Sequence, residues 1–315
     1  MKLLLVLDPL ESVKTYKDSS FAMMEEAVAR KCELFTAMQE DLFCRDGRVL
    51  VRATPITLTG DKTDWYRARP AQEVELNYFG AVLMRKDPPF DMEYVYSTYL
   101  LELAESQGAR VYNRPRALRD YNEKFSITRF PQFTAPTLIT RREDEIRAFL
   151  KEHVDIVLKP LDGMGGASVF RMGRHDPNNS VIIETLTEFG ARTVMAQRYI
   201  PEIVQGDKRV LVVDGEPAPY ALARVPRAGE SRGNLAAGGR GVAQPLSARD
   251  REIAETAGRA LRNDGLLLVG LDVIGDYLTE INVTSPTCMR EIHDQTGFSV
   301  AAMVIDAVEK ANASR

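Results

Sequence analysis

A lysine followed by a glycine-rich turn constrains this chain more than any other feature of its sequence. Residues 155–169 form an apolar run that reaches Lys159, a turn containing Gly163, Gly165 and Gly166, and the start of a second extended segment. Consecutive backbone N–H groups form an anion-binding concavity, and a lysine adds a full positive charge. A P-loop or a dinucleotide fingerprint would lead into a helix, whereas both flanks here are extended. The sequence therefore predicts a phosphate-binding flap at a hairpin tip that closes over a nucleotide, with a simple turn as the alternative.

Length and composition narrow the class of protein. A chain of 315 residues exceeds what one small core organises, so we expect two or three subdomains. The net charge of −4 gives no global field that would attract nucleic acid or anionic lipid. Cys32, Cys44 and Cys288 match neither a disulfide framework nor a zinc site, which favours a cytoplasmic location. The first apolar run ends at Asp8 and Pro9, too early for a signal peptide, and no span is long enough to cross a bilayer.

The first third of the chain alternates strands and helices. This rhythm predicts a parallel sheet with ligand sites at the carboxyl ends of its strands. The polar segment Val49–Ala71 is either a small sheet excursion or a mobile insert. The predicted strands are Lys2–Leu7, Glu33–Ala37, Ala81–Met84 and Arg110–Asn113, and the predicted helices are Phe21–Lys31, capped by residues 18–20, and Tyr94–Gln107.

The pattern changes beyond about residue 122. A hairpin is predicted across Asp214 and Gly215, a favoured two-residue turn. The predicted helices are Asn122–Phe130, Glu143–Lys151, Ser247–Asn263 and Val300–Lys310. The predicted strands are Thr137–Thr140, Val194–Tyr199, Lys208–Val213, Ala218–Arg224, Leu266–Ile274 and Leu278–Val283, with a further apolar segment at Val181–Thr185.

Three oxygen-bearing side chains near the end of the chain form a candidate metal site. Glu280 and Asn282 are two residues apart in a strand and share a face. If residues 275–277 form a three-residue turn, Asp272 lies directly opposite Glu280. Two carboxylates and an amide oxygen suit Mg²⁺, although a solvated polar face on an edge hairpin is the alternative. The apolar run before Asp272 favours a buried position for this carboxylate.

The glycine- and arginine-rich segment Val225–Gly241 is a candidate lid. Glycine freedom with interspersed arginines, Arg232 and Arg240 among them, suits a loop that folds over an anionic site, and a disordered surface loop is the alternative. Lys124 is a second candidate phosphate ligand or a solvated helix lysine. Arg209 lies in an apolar strand and needs an anion, either a ligand or a structural partner.

Polar residues elsewhere are candidates for substrate binding. Ser19 and Arg85 lie at ends of elements in the first third of the chain, where Arg85 is suited to bidentate contact with a carboxylate. Ser19 has helix capping as its alternative role. Ser285, Thr287 and Arg290 follow the candidate metal hairpin closely enough to reach a substrate beside the γ-phosphate.

Several motifs together resemble the bacterial glutathione synthetases. They are Lys159-Pro-Leu-Asp-Gly-Met-Gly-Gly, Asp207-Lys-Arg-Val-Leu-Val, Arg232-Gly-Asn-Leu-Ala-Ala-Gly-Gly-Arg, Gly270-Leu-Asp-Val-Ile-Gly and Thr279-Glu-Ile-Asn-Val-Thr-Ser-Pro-Thr. Asp18-Ser-Ser-Phe-Ala and Met84-Arg-Lys-Asp-Pro-Pro-Phe-Asp extend the similarity into the first third. The resemblance covers about residues 1–310 and is least evident at residues 40–75.

This resemblance implies an ATP-grasp fold of mixed α/β and α+β class. An N-terminal α/β parallel-sheet domain (residues 1–122) would precede two ATP-grasp subdomains, residues 123–200 with the phosphate flap and residues 201–315 with the lid and magnesium site. It also implies ATP-dependent joining of γ-glutamylcysteine and glycine by a homotetramer, with Mg²⁺ or Mn²⁺ as the metal.

The resemblance further implies roles for individual residues. Lys124, Lys159, Gly163, Met164, Gly165, Gly166, Gln197, Tyr199, Ile200 and Asp207 would bind ATP, and Asp272, Glu280 and Asn282 would bind the metal. Arg209, Arg232, Arg240 and Arg290 would act in catalysis, and Ser19, Arg85, Asn282, Ser285, Thr287 and Arg290 would bind substrate. The alternatives are another ATP-grasp carboxylate–amine ligase, a synapsin-like nucleotide-binding regulator, and a kinase acting on a hydroxyl.

Overall fold

The N-terminal part of the chain forms a mixed sheet whose centre is parallel. The structure, a computed structural model, describes residues 1–163, 165–227, 233 and 238–313. The sheet order is β3-β4-β2-β1-β7-β8, with β5 and β6 also pairing with β4, and β1 is parallel to both β2 and β7. The elements are β1 Lys2–Val6, α1 Ser19–Ala29, β2 Glu33–Ala37, β3 Leu42–Arg45, β4 Arg48–Leu58, β5 Tyr66–Ala68, β6 Gln72–Glu75, β7 Ala81–Met84, α2 Met92–Ser106, β8 Val111–Tyr112 and α3 Pro115–Asp120.

The local signals explain these elements. The Asp18 side chain accepts a hydrogen bond from the backbone N–H of Phe21 and so begins α1. The four residues Leu3–Val6 are fully buried, as expected for a central strand covered on both faces. The segment Val49–Ala71 is the small sheet excursion, because its residues form most of β4 and all of β5.

A four-stranded antiparallel sheet follows, in the order β11-β10-β12-β9. Its helices pack their own small core against it, built around Ile146, Leu158 and Ile183. The elements are β9 Thr137–Thr140, α4 Glu143–His153, β10 Asp155–Pro160, β11 Phe170–Gly173, α5 Asn179–Thr187 and β12 Val194–Arg198.

The hairpin predicted around the glycine turn is confirmed, because β10 and β11 are antiparallel neighbours on either side of it; its role as a phosphate flap stays a prediction. The apolar segment Val181–Thr185 belongs to helix α5. The helix predicted at Asn122–Phe130 is only a 3₁₀ helix, Phe125–Arg129. The Asn122 side chain accepts hydrogen bonds from the N–H groups of Lys124 and Phe125, which holds the preceding residues in a turn.

The last part of the chain forms a five-stranded antiparallel sheet in the order β15-β14-β13-β16-β17. The elements are β13 Asp207–Val213, β14 Glu216–Val225, β15 Arg240–Pro245, α6 Ala248–Asn263, β16 Leu268–Ile274, β17 Tyr277–Asn282, α7 Met289–Thr296 and α8 Val300–Ala313. Helix α7 has no counterpart in the sequence prediction.

One buried amide joins this sheet to the N-terminal sheet. The Asn113 side chain donates to the carbonyl oxygens of Leu268 and Val283, each at 2.7 Å, and accepts from the N–H of Leu268 at 2.9 Å. Its three hydrogen bonds fix the start of β16 and the end of β17, which carry the candidate metal residues.

Candidate active site

A cavity of about 530 Å³ opens between the four-stranded and five-stranded sheets and continues to the N-terminal sheet. Most of the predicted site residues meet there. Those that line it are Lys124, Lys159, Gly163, Gly165, Gly166, Gln197, Tyr199, Ile200, Asp207, Arg209, Asp272, Glu280, Asn282, Ser285 and Thr287. The cavity is therefore built by all three parts of the chain.

Two buried lysines converge on one carboxylate at the centre of the cavity. Lys124 Nζ lies 3.6 Å from Glu280 Oε1, and Lys159 Nζ lies 3.8 Å from the same atom. Lys124 Nζ also donates to the carbonyl oxygen of Gly163 in the glycine turn. Burial lowers the pKa of Lys159, and Glu280 opposes that effect. One carboxylate cannot neutralise two ammonium groups, so this point of the cavity favours an anion such as phosphate.

Strand register brings the charged residues of the five-stranded sheet into one row. Arg209 of β13 lies opposite Asp272 of β16, and Asp272 lies opposite Glu280 of β17, as predicted. The predicted three-residue turn is wrong: Ile274 pairs with Tyr277, and a register shift lies between Asp272 and Val273. The two-residue turn and the bulge together restore the predicted Asp272–Glu280 pairing.

Two arginines hold the buried carboxylate of Asp272 and the half-buried carboxylate of Asp207 on this sheet. Arg209 binds Asp272 through Nε at 2.5 Å and Nη2 at 3.1 Å. Arg224 Nη2 lies 2.8 Å from Asp272 Oδ2 and 2.5 Å from Asp207 Oδ2. Gly270 leaves room for this arrangement, because a Cβ there would lie 2.8 Å from Arg209 Cδ.

The two carboxylates respond differently to the shared arginines. Burial would raise the pKa of Asp272, but the charges of Arg209 and Arg224 outweigh burial and hold that pKa well below its usual range. Burial raises the pKa of Asp207 to about 7, since Arg224 offsets only part of the effect and Asp272 repels the second negative charge. Asp272 is thus the ionised centre of the cluster.

The donor set at residues 272, 280 and 282 fits a divalent cation that is completed by a ligand. No group of three His, Cys, Asp or Glu side chains within the described ranges is arranged to hold a metal by itself. Asn282 Nδ2 donates to the carbonyl oxygen of Gly270 at 3.1 Å, which leaves its amide oxygen available. Asp272 Oδ1 receives one arginine bond and keeps a second lone pair. A hard cation here would take the rest of its shell from phosphates and water.

The far side of the cavity is an apolar slot suited to a planar base. Val157, Ile200, Ile203 and Ile274 line it. At its edge, Asp207 Oδ1 is buried with no hydrogen-bond partner among the described residues. A hydroxyl of a bound ligand would satisfy this acceptor. The slot and the two lysines together fit a nucleoside phosphate.

The opposite end of the cavity is polar. Ser285 Oγ donates to Asp87 Oδ1, and Thr284 Oγ1 donates to Glu123 Oε1 at 3.1 Å. Glu123 is half-buried, and burial together with the charge of Glu280 raises its pKa. This end therefore offers hydroxyl and carboxyl groups to a second ligand beside the phosphate position.

Four predicted site residues within the described part of the chain do not line the cavity: Ser19, Arg85, Arg240 and Arg290. Ser19 and Arg85 lie behind its wall: Ser19 Oγ accepts from the N–H of Met289 at 3.3 Å, and Arg85 Nη2 donates to the carbonyl oxygen of Pro286 at 3.0 Å. Arg290, in the first turn of α7, forms an ion pair with Glu25 outside the cavity.

Within the predicted lid segment, Gly233 lines the cavity, whereas Arg240 is exposed at the start of β15. Arg232 and Met164, which were also predicted to act at the site, lie outside the described residues.

Sequence reasoning did not single out several residues of the cavity wall, including Glu123, Arg224 and Asp87. Glu123 precedes the predicted phosphate ligand Lys124, and Arg224 ends a predicted strand, so both positions carried a signal that went unused. Asp87 lies within one of the motifs that resemble the bacterial family. Their roles depend on partners far away in sequence, which no local pattern reveals.

Solved structures identify the class of this fold. D-cycloserine synthetase DcsG superposes with a TM-score of 0.69 at 17% identity over 99% of this chain and 100% of that chain. ATP-grasp ligase PsnB, solved with a minimal precursor, Mg and ADP, gives 0.64 at 19% identity over 100% and 98%. D-alanyl-alanine synthetase A from Vibrio cholerae gives 0.61 at 12% identity over 100% and 99%. The chain has the ATP-grasp fold, as predicted.

The family follows from the sequence comparisons. The model of the prokaryotic glutathione synthetase N-terminal domain matches residues 1–119, and that of the prokaryotic glutathione synthetase ATP-grasp domain matches residues 123–297. Glutathione synthetase of Nitrosomonas europaea is 62% identical over 98% of both chains, and that of Pseudomonas aeruginosa is 55% identical over 100% of this chain and 99% of the relative. The chain belongs to the prokaryotic glutathione synthetase family. The predicted family, fold class and assignment as an ATP-dependent ligase of glutathione biosynthesis are confirmed.

Proposed function

We propose that this chain joins γ-glutamylcysteine to glycine through an acyl-phosphate intermediate, with ATP converted to ADP and phosphate. Membership of the family supports this reaction. The observation that carries the mechanism is one cavity whose wall includes the apolar slot, Lys124 and Lys159, and Ser285 and Thr287. A nucleotide in the slot and a carboxylate near Ser285 would meet at the two lysines.

Positively charged side chains would offset the main barrier to the reaction, which is repulsion between two anions. A cysteinyl carboxylate and a γ-phosphate are both anionic and repel each other unless positive groups offset the charge. Lys124, Lys159 and Arg209 supply that charge from buried, preorganised positions, where electrostatic stabilisation is strongest. The carboxylate oxygen bonds to the γ-phosphorus, the bond to the β-phosphate oxygen breaks, and ADP leaves.

Asp272, Glu280 and Asn282 would hold a divalent cation, which we assign as Mg²⁺ with Mn²⁺ as its substitute. When bound, the ion would neutralise charge on the phosphates. Glu280 also lies against the two lysines. The same carboxylate therefore balances part of the positive charge of the lysines.

Exclusion of water is the second requirement, because an acyl phosphate hydrolyses until glycine attacks it. Val225 pairs with Arg240 across β14 and β15, so the segment between them begins beside Arg224 at the cavity. Gly233 lines the cavity, and a Cβ there would lie 2.3 Å from the carbonyl oxygen of Arg224. These contacts support a lid role for residues 225–241, in which Arg232 and Arg240 stay predictions.

We further propose that residues 1–122, 123–200 and 201–315 form three domains. We also propose that the protein assembles as a homotetramer and is located in the cytoplasm. The structure has no helix, within its described residues, that is long and apolar enough to cross a membrane. Light scattering of the purified protein tests the assembly.

ADP release tests the reaction. Purified protein with Mg²⁺ and ATP should release ADP rapidly only when γ-glutamylcysteine and glycine are both present, with one glutathione formed per ADP. Glu280→Gln should remove this activity while leaving the fold intact by circular dichroism. Turnover only with a different carboxylate and amine would refute the substrate assignment, and ATP binding without turnover would favour a regulatory protein.

A further inference from the structure

The cavity extends beyond Ser285 and Thr287 to a charged end that the proposed reaction does not yet use. Its wall there is formed by Lys14, Lys17 and Asp18, from the loop before α1, and by Glu291, from the first turn of α7. The sequence already offered Asp18, together with Ser19 and Ser20, as a candidate for binding substrate, whereas Lys14, Lys17 and Glu291 were not singled out. We call this group the distal end.

The distal end contains carboxylate and ammonium groups that are available to a ligand. Glu291 Oε2 is buried without a hydrogen-bond partner among the described residues. Asp18 uses Oδ1 to cap α1, which leaves its second oxygen available. The side chains of Lys14 and Lys17 are exposed at the cavity mouth, and neither forms an ion pair within the described part of the chain.

The loop that carries the lysines is held in place. Its backbone turns through hydrogen bonds from the N–H groups of Lys17 and Asp18 to the carbonyl oxygen of Lys14, both at 2.9 Å. Thr15 is buried and donates to the carbonyl oxygen of Lys62 at 2.9 Å. The loop thus presents its lysines from a fixed backbone, which limits the entropy lost on binding a ligand.

The direction of the dipeptide in the cavity follows from the reaction. Its cysteinyl carboxylate has to lie beside Lys124 and Lys159, so the rest of the molecule extends away from the nucleotide half. Residues 284–288, which follow the metal hairpin, and Glu291 line the cavity. The glutamyl end of the dipeptide carries a free α-ammonium and a free α-carboxylate, which require one anionic and one cationic partner.

We propose that the distal end binds this free amino-acid group of the glutamyl residue, with Glu291 and Asp18 receiving the ammonium and Lys14 and Lys17 facing the carboxylate. This inference rests on the proposed function and names the specificity residues of the same site. Glu291 contributes most to selectivity, because a ligand without an ammonium leaves its buried oxygen unpaired.

The two residues expected from the sequence to bind this substrate act one layer further out. Ser19 accepts from the N–H of Met289 at the start of α7, and Arg85 donates to the carbonyl oxygen of Pro286. They position the segment that carries Glu291. The ligand itself contacts Asp18, which is next to Ser19 in sequence, and Glu291 on the supported segment.

Inhibition by two truncated dipeptides tests the assignment. Glutarylcysteine lacks the α-ammonium, and 4-aminobutyrylcysteine lacks the α-carboxylate. Competitive inhibition constants for both, with the KM of γ-glutamylcysteine, are measured for the wild type, Glu291→Gln and the double variant Lys14→Met/Lys17→Met. Lys151→Met, an exposed lysine on α4, is the matched control.

Each variant should lose recognition of only one charged group of the glutamyl end, either the α-ammonium or the α-carboxylate. Glu291→Gln should raise the KM of γ-glutamylcysteine about tenfold or more while changing glutarylcysteine inhibition little, because that analogue has no ammonium to lose. The double lysine variant should likewise raise the KM of γ-glutamylcysteine while changing inhibition by 4-aminobutyrylcysteine little, because that analogue has no α-carboxylate to lose. The KM of ATP and of glycine should stay unchanged in every variant.

Equal losses for the dipeptide and both analogues, or no loss in either variant, would overturn the proposal. A wild-type protein that forms no glutathione would instead refute the proposed function. The two failures are therefore distinguishable.

Discussion

Removal of Arg224 should destabilise the protein in a way that a second substitution repairs. Arg224 is buried and is shared between Asp207 and Asp272. In Arg224→Met, Asp272 keeps its two bonds to Arg209, whereas Asp207 loses its only ion pair in the described structure. The double variant Arg224→Met/Asp207→Asn removes the stranded carboxylate as well.

The expected magnitude follows from the burial of the cluster. At about pH 8, above the pKa of about 7 of Asp207, loss of its buried partner costs about 3–5 kcal/mol, because the remaining carboxylate has to stay desolvated and unpaired or take up a proton. The neutral amide at position 207 avoids that penalty, so the double variant should recover most of the loss. The coupling between the two substitutions should therefore reach about 2 kcal/mol or more, in the range found for residues that share a partner.

Urea denaturation without nucleotide, followed by far-ultraviolet circular dichroism, measures these differences. Wild type, both single variants and the double variant complete a mutant cycle. Additive losses, with the double variant less stable than Arg224→Met, would refute the electrostatic reasoning. Such a result would mean that Arg224 stabilises the sheet through its packing instead.

Three further predictions concern separate features of the structure. Lys159→Met should weaken ATP binding at least about tenfold, measured by calorimetry, because a buried phosphate partner is lost; the exposed Lys151→Met should not. Burial raises the pKa of Asp207 to about 7, so between about pH 4 and 7 the folded protein retains a proton that the unfolded chain has lost, and stability falls as pH rises through this window. Asp207→Asn should flatten that fall in denaturation midpoints, and an unchanged slope would contradict the assignment. Asn113→Ala should cost about 2–4 kcal/mol of unfolding free energy, since it unpairs buried groups of Leu268 and Val283, and a loss under 1 kcal/mol would count against this role.

Local sequence signals predicted the parts of the site that lie within one hairpin. The phosphate flap followed from extended flanks around a glycine turn. The Asp272–Glu280 pair followed from strand periodicity, although the assumed turn was one residue too long and a bulge compensated for it. Such features depend on neighbours in sequence, which is why they were accessible.

Features that depend on distant partners were not predictable from local pattern. Arg224 matters because β14, β13 and β16 lie side by side, and that order cannot be read from β14 alone. Helix α7 begins after Cys288, which has a positive φ of 87° and lacks a side-chain cap, so no usual N-cap signal marked it. The sequence predicted that Ser19 and Arg85 bind substrate, whereas the packing of the sheets places them behind the cavity wall.

Transfer of labelled oxygen tests the central claim most directly, namely that the cavity joins the dipeptide carboxylate to the γ-phosphate. γ-Glutamylcysteine carrying oxygen-18 in both oxygens of its cysteinyl carboxylate is converted with ATP and glycine, and the phosphate is analysed by mass spectrometry. The account predicts one labelled oxygen in each phosphate released and one retained in the new amide of glutathione. Phosphate without label, formed together with glutathione, would contradict it.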